Sequence, residues 1–183
     1  MAREMTVVPY DANWPSLFGR EKAVLLDILG EILLDIQHFG STSIVGMSAK
    51  PIIDVMATVN SIGDVDRFQD AMTAAGYDTR GEHGIPGRRY FVRLKADGEN
   101  HAAHIHIYRQ GNPHTIDELL FRDFLRADRA SFSQYETVKL DAAQRHRFSP
   151  MEYQDAKSEC VAEIMRKAKE WRDMLKAEGE NAR

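Results

Sequence analysis

The sequence predicts an α/β fold with a wholly helical second part, and three observations carry that expectation. Short β-branched runs bounded by Gly, Pro, Ser and Asn recur as far as Arg109. Apolar residues at helical spacing take over from Pro113 onward. No linker, internal repeat or low-complexity tract separates the two parts. A chain of 183 residues has the size of one compact domain. The expectation is therefore a single domain over 1–183, with an α/β core at 1–110 and a helical part at 111–178 packed on its sheet.

Met5 to Pro9 reads as a short strand. Asp11 or Asn13 then caps a helix with Pro15 in its first turn, where a missing N–H costs nothing. Leu17, Phe18, Val24, Leu25, Ile28 and Leu29 form its apolar stripe, and Gly30 stops it. Ile32 to Phe39 reads as a strand, Gly40 to Lys50 as a loop of small residues, and Pro51 to Val59 as a second strand. Ser61 or Asp64 caps a helix ending near Gly76, after which Gly81, Gly84, Pro86 and Gly87 mark a turn. Arg89 to Lys95 and His101 to Arg109 flank the polar turn Ala96 to Asn100 as a hairpin. Helices follow at about 115–127, 130–146 and 150–177, broken near Asp128 and at Pro150, and the tail from Glu178 is expected to fray.

With 43% hydrophobic and 28% charged residues the chain is too apolar for disorder. A net charge of -4 and a pI near 6.0 argue against a surface built for bulk nucleic acid, while leaving room for a local basic pocket. No apolar stretch approaches the roughly 20 residues that cross a bilayer, and Met1 to Tyr10 lacks a signal-peptide core, so a cytoplasmic protein with no membrane partner is expected. The single cysteine, Cys160, excludes an internal disulfide and a cysteine metal cluster, and its helical context reads as a small buried side chain.

The chemistry concentrates in His38-Phe-Gly-Ser-Thr-Ser-Ile-Val-Gly-Met-Ser-Ala-Lys-Pro-Ile-Ile-Asp54. At Gly40 the absent side chain lets backbone N–H groups approach an anion, and Ser41, Thr42 and Ser43 add hydroxyl donors. Lys50 adds a cation at the loop exit. Asp54 shares a strand face with Met56 and Thr58, and a lone carboxylate amid Ile52, Ile53 and Val55 is costly unless paired or bound to metal. The bland alternative is a loop of small residues and an aspartate that caps a neighbour.

His104-Ile-His106-Ile-Tyr108 places two imidazoles on one strand face, where they can share a metal or serve as ordinary polar-face residues. The cations Arg88, Arg89, Arg122, Arg126, Lys139 and Lys157 suit phosphate oxygens. Arg122 and Arg126 share a helix face, and the alternative for each cation is salt bridging on a solvated helix. The stripe Leu120, Phe121, Phe124 and Leu125 reads as core.

These residues belong to a longer ordered series. It comprises Tyr10-Asp-Ala-Asn-Trp-Pro15, His38-Phe-Gly-Ser-Thr-Ser43 with Ala49-Lys-Pro-Ile-Ile-Asp54, Gly76-Tyr77, Gly84-Ile-Pro-Gly-Arg-Arg-Tyr-Phe91, His104-Ile-His106, Phe121-Arg-Asp-Phe-Leu-Arg126, Tyr135 with Lys139, and Tyr153 with Lys157. Over almost the whole chain this series resembles the GrpB family, which is similar to the nucleotidyltransferase superfamily and also occurs fused to dephospho-coenzyme A kinase. The resemblance implies an α+β, nucleotidyltransferase-like mixed β-sheet with flanking helices.

For function, the residues taken with that resemblance lead to the expectation of binding of a nucleotide or phosphorylated small molecule, with Gly40, Ser41, Thr42 and Lys50 around the phosphates and Arg88, Arg122, Lys139 and Lys157 as further anion contacts. Asp54, His104 and His106 are the expected catalytic groups and the expected ligands of a divalent metal, magnesium, manganese or zinc. Active superfamily members carry Asp-x-Asp after the Gly-Ser turn, and here Met56 holds the second acid position. One carboxylate with two imidazoles suits zinc, manganese or iron better than magnesium, which makes two-magnesium chemistry doubtful. Nucleotidyl transfer to a small acceptor is the leading expectation. A non-catalytic ligand binder, an accessory protein of coenzyme A metabolism and a phosphohydrolase are the rivals.

Overall fold

The structure, a computed structural model, describes residues 6–181. Helix α1 (Trp14–Leu29) leads into β1 (Leu33–Phe39), a 3-10 turn at Ser41–Ser43, and β2 (Ile53–Val59). A 3-10 segment (Ile62–Phe68) and α2 (Gln69–Ala74) follow, then β3 (Tyr77–Thr79), β4 (Arg88–Leu94) and β5 (His101–Arg109). Helices α3 (Pro113–Ala127), α4 (Arg129–Arg145) and α5 (Pro150–Asn181) complete the α+β chain.

The five strands form one mixed sheet in the order β1-β2-β5-β4-β3, with β2 and β5 parallel and the other neighbours antiparallel. Strand alternation splits its two faces chemically. Val55, Ala57, Val59, Ile105 and Ile107 are fully buried in a core shared with Trp14, Leu25 and Leu29 of α1 and with Val65 and Met72. Each large side chain buried there contributes about 1.5–3 kcal/mol. The intervening residues face the other way, and they include Asp54, Met56, His104, His106 and Tyr108. The parallel register sets Asp54 beside His104 and Met56 beside His106.

The helical part has a core of its own. Leu120, Phe124 and Leu125 of α3, Phe132 and Tyr135 of α4, and Cys160, Ile164 and Ala168 of α5 pack together, and Ile44 and Met47 from the loop after β1 join them. Spacings of three and four residues give each helix one apolar face, and three such faces close on one another. Cys160 is buried as expected, which raises its thiol pKa. Polar ties join this bundle to the sheet half: Lys139 Nζ donates to Ser48 O at 2.6 Å and Ser48 N–H donates to Glu136 Oε1 at 2.7 Å.

Local differences from the sequence reading have identifiable causes. The expected strand at Met5 to Pro9 begins at a residue outside those described, and within it Val8 makes a single bridge to Ala49. Asn13 occupies the N-cap of α1 without a side-chain cap bond, and Asp11 Oδ1 instead accepts from Asn13 N–H. The helix expected after Ser61 is mostly 3-10, and α2 has six residues. β3, with three residues, is too short to leave a periodic pattern. The break near Asp128 is real, because its extended backbone ends α3 while its carboxylate accepts from Ser131 N–H and starts α4. α5 continues to Asn181. Among the described residues no helix is long and apolar enough to cross a membrane.

Candidate functional site

Gly40 ends β1 with φ 67° and ψ -179°, a conformation open to glycine almost alone. A Cβ added there would lie 2.5 Å from Asp54 Oδ2. The anion that approaches Gly40 is thus the protein's own carboxylate, and the glycine makes room for it. Ser41 and Thr42 then open a 3-10 turn, whose first N–H groups have no acceptor inside the turn.

Asp54 Oδ1 lies 3.1 Å from His104 Nδ1, and His104 Nε2 lies 2.7 Å from His101 Nδ1. With neutral rings, these contacts are satisfied when His104 donates to Asp54 and His101 donates to His104. His106 Nδ1 lies 3.3 Å from Arg88 Nη1, which acts as the donor. The His106 pKa is lowered to about 3, first by burial and then by Arg88, His104 and His83, while Asp54 opposes the shift. His106 is therefore a neutral imidazole.

Each of Asp54, His104 and His106 offers a ligand atom within 4.8 Å of the others. Asp54 Oδ1 and His104 Nδ1 are separated by about the 3.3 Å expected of two ligands on one zinc or manganese ion. One carboxylate and two imidazoles fit a borderline cation. For both histidines the fit has a condition: His104 Nδ1 ligates only when it gives up the proton it donates to Asp54, and Arg88 on His106 Nδ1 favours a proton on Nε2, so ligation through that Nε2 requires the Arg88 hydrogen bond to be released. Met56, 2% exposed, leaves no second carboxylate on β2 for a magnesium pair.

These groups floor a cavity of about 680 Å³ between the sheet and the helices. Gly40, Ser41, Thr42, Asp54, His104 and His106 line it from the sheet side. Lys50 and Arg88 line it from loop and strand, and Lys139 and Lys157 from the helices. Lys139 stands over the Tyr135 ring at 4.8 Å, and Lys157 and Lys50 stand over the Tyr153 ring at 4.3 and 4.0 Å. Burial and Lys157 lower the Lys139 pKa to about 7, with Glu136 opposing. Burial lowers the Lys157 pKa to about 8, against the attraction of Asp54 and Glu118.

Arg122 is the expected contact that lies elsewhere. Its guanidinium grips both oxygens of Asp123 and donates to Gln37 Oε1 and to His38 O at 2.9 Å, so it ties α3 to β1. Arg126 shares its face, as the spacing predicts, and donates to Ser43 O. That helix face meets β1 and its turn rather than the cavity. Two expected hydroxyl donors are also committed locally. Thr42 Oγ1 donates to Ile52 O and contacts His38 Nε2, and Ser43 Oγ donates to Gly40 O. Arg88 lines the cavity with much of its guanidinium spent on the carbonyls of Glu82 and His83.

His101, Glu118 and the Tyr135 and Tyr153 rings also line the cavity, and the reading of the residues gave none of them a role. The Glu118 carboxyl pKa is raised by the surrounding protein and by Asp54 and Asp117. A readable signal did exist for the tyrosines, since Tyr135–Lys139 and Tyr153–Lys157 share the i, i+4 spacing that stacks neighbours on a helix. His101 and Glu118 carry no comparable pattern.

His38 supports the turn from behind. Its ring stacks on Phe18 at 4.8 Å, and its pKa is lowered to about 4, mainly by burial and further by Arg126 and Arg122, with Asp54 opposing. A depressed folded-state pKa means that the unfolded chain binds the proton more tightly. The contribution is complete above about pH 6.5 and is lost between there and about pH 4, at no more than about 1.4 kcal/mol per pH unit. His38→Gln is expected to flatten that part of the stability profile. Denaturant melts from pH 7 to 4.5 measure it, and equal slopes in both proteins would show that His38 is not the titrating group.

Residues 4–167 match the GrpB protein family. The YqkA protein of Bacillus subtilis is 39% identical over 170 residues, which cover 93% of this chain and 49% of that protein. A dephospho-CoA kinase of Mycobacterium tuberculosis is 29% identical over 191 residues, 92% of this chain and 47% of that one. The chain thus spans about half the length of these two relatives. The crystal structure of the conserved protein GrpB from Enterococcus faecalis superposes with a TM-score of 0.83 at 36% identity, covering 91% of this chain and 99% of that one. An ordered motif series along the chain, a family match over nearly all of it and a closely superposing structure agree: the chain belongs to the GrpB family.

Proposed function

We propose that this chain binds a nucleotide or another phosphorylated small molecule in the cavity between sheet and helices, and transfers a nucleotidyl group from it to a small acceptor. The observation that carries this reading is the convergence of Asp54, His104 and His106 beside the Gly40–Ser41 turn, opposite the Lys139–Lys157 wall. Asp54, His104 and His106 are the residues that would hold a divalent metal, magnesium, manganese or zinc, whose chemistry there is Lewis-acid polarisation of a phosphoryl oxygen. In the transfer, with a nucleoside triphosphate as donor, the acceptor oxygen bonds to the α-phosphorus, the bond from that phosphorus to its bridging oxygen breaks, and pyrophosphate leaves. The acceptor's proton passes to an imidazole or carboxylate of the site, and the ammonium groups stabilise the charge on the departing phosphates. The supply of such ligands puts the protein in the cytoplasm.

Met56 and the Arg88 bond to His106 favour a second reading, in which the cavity binds the same ligands without turnover. Dephospho-coenzyme A is the natural probe for a role in coenzyme A metabolism, given the kinase relative. Thermal melts with ATP, UTP or dephospho-coenzyme A, each with magnesium, manganese or zinc, test the binding. At about a hundredfold excess over Kd, a ligand raises stability by about 2.7 kcal/mol, or roughly 5–10 °C for a chain of this size. Asp54→Asn is expected to abolish the metal-dependent part of that shift. If no combination moves the melting temperature, the reading is wrong; binding without product release in a radiolabelled transfer assay selects the non-catalytic version.

A further inference from the structure

Buried charges in folded proteins are paired, because an isolated ammonium loses several kcal/mol of hydration without return. Lys157 is 7% exposed and Lys139 2% exposed, and both open onto the cavity. Among the described residues the Lys157 ammonium has neither a hydrogen bond nor an ion pair, and its contact is the face of Tyr153. Lys139 donates one hydrogen bond, to Ser48 O. Lys50 stands over the same Tyr153 ring as Lys157. Lys139 and Lys157 thus bring two buried ammonium groups to one wall, and among the described residues neither forms an ion pair.

We propose that the helical wall formed by Lys139 and Lys157, with Lys50 at its edge, is a subsite for a phosphate dianion that is taken up together with a proton. The occupant is the doubly charged terminal phosphate of a phosphomonoester or of a di- or triphosphate, in preference to a singly charged phosphodiester. This rests on the reading of the cavity as a phosphate site and specifies which phosphate enters and where.

The linkage follows from the groups that face each lysine. Lys139 stands over Tyr135 and feels Glu136 on its own helix, is repelled by Lys157 from α5, and donates to Ser48 O from the loop. Lys157 stands over Tyr153 on its own helix, and it feels without an ion pair the repulsion of Lys139 from α4 and the attraction of Asp54 from β2 and Glu118 from α3. Without ligand, burial and mutual repulsion hold the Lys139 pKa at about 7 and burial holds that of Lys157 at about 8. A dianion between them favours the charged forms and raises both values. Near pH 7.5 the pair then takes up about one proton per dianion bound, and affinity falls as pH rises through this range.

Sulfate is the probe, because it is a dianion that does not itself titrate near neutrality. Calorimetric titration in buffers of different ionisation enthalpy is expected to show uptake of roughly one proton near pH 7.5 and at least about tenfold weaker binding at pH 9 than at pH 6.5. Dimethyl phosphate, a monoanion, is expected to bind at least about tenfold more weakly than sulfate. Lys157→Met is expected to lose at least about tenfold in sulfate affinity while melting at or above the wild-type temperature, since it removes an unpaired buried charge. Lys157→Arg keeps dianion binding and reduces proton uptake, because a guanidinium does not titrate in this range.

Absence of sulfate binding up to roughly 20 mM, equal binding of dimethyl phosphate, or unchanged affinity in Lys157→Met would each overturn the subsite. If nucleotides stabilise the protein while Lys157→Met binds sulfate like the wild type, the subsite falls and the nucleotide reading stands. If sulfate binds with proton uptake and no nucleotide binds, the subsite stands and the nucleotide reading falls.

Discussion

Gly40→Ala is expected to lower the melting temperature by roughly 6–12 °C and to abolish the metal-dependent stabilisation by nucleotides. Two costs add. A residue with a side chain at φ 67° and ψ -179° is strained by about 1–3 kcal/mol. The new methyl group would also stand 2.5 Å from Asp54 Oδ2 and 3.1 Å from Asp54 Cβ, so the carboxylate must leave its place and its contact with His104 is disturbed. A total near 3 kcal/mol corresponds to about that loss in melting temperature for a chain of this length. Gly98→Asn is the control. Gly98 has φ 70° but open space around its Cα, so asparagine there is expected to cost about 1 kcal/mol or less. If Gly40→Ala melts no lower than Gly98→Asn, then packing against Asp54 is not what demands the glycine.

The second large effect concerns Arg122. Arg122→Ala is expected to destabilise the protein by about 2–4 kcal/mol while leaving sulfate and nucleotide affinities within about twofold of wild type. Its guanidinium, in a residue 9% exposed, holds Asp123 bidentately and bonds Gln37 and His38 O, so its removal severs the tie between α3 and β1. Relief of its repulsion with Arg126 offsets a small part of the loss. Arg122→Lys is expected to recover little, because an ammonium cannot span the same acceptors as the planar fork. Denaturant midpoints measure the first claim and calorimetry the second. Lost ligand affinity at unchanged stability would return Arg122 to the anion-binding role that its sequence neighbourhood suggests.

Arg122 and Thr42 show where reading residues one by one stops. Both are polar groups close to the phosphate-loop pattern, and both spend their donors on the protein's own acceptors. Residue type tells which hydrogen bonds a side chain can make, and only its surroundings decide which it does make. Asp54, His104 and His106 are the opposite case. Strand alternation places the two histidines on one face from sequence alone, whereas the parallel β2–β5 pairing that sets Asp54 beside His104 joins residues 50 positions apart. No local signal specifies that register.

Apart from the three-residue β3, the element order, the helical second part and the core stripe of α3 followed from periodicity and turn chemistry, because these are short-range constraints that each segment satisfies by itself. The membership of the site did not follow in the same way. The path of α4 and α5 over the polar sheet face is set by burial of a shared core, and that packing carries Lys139 and Lys157 to Asp54 while turning Arg122 away. Sequence alone thus determined the elements and most of the reactive groups. The tertiary structure decided which of them share a cavity, because burial is a collective energy that no single segment records.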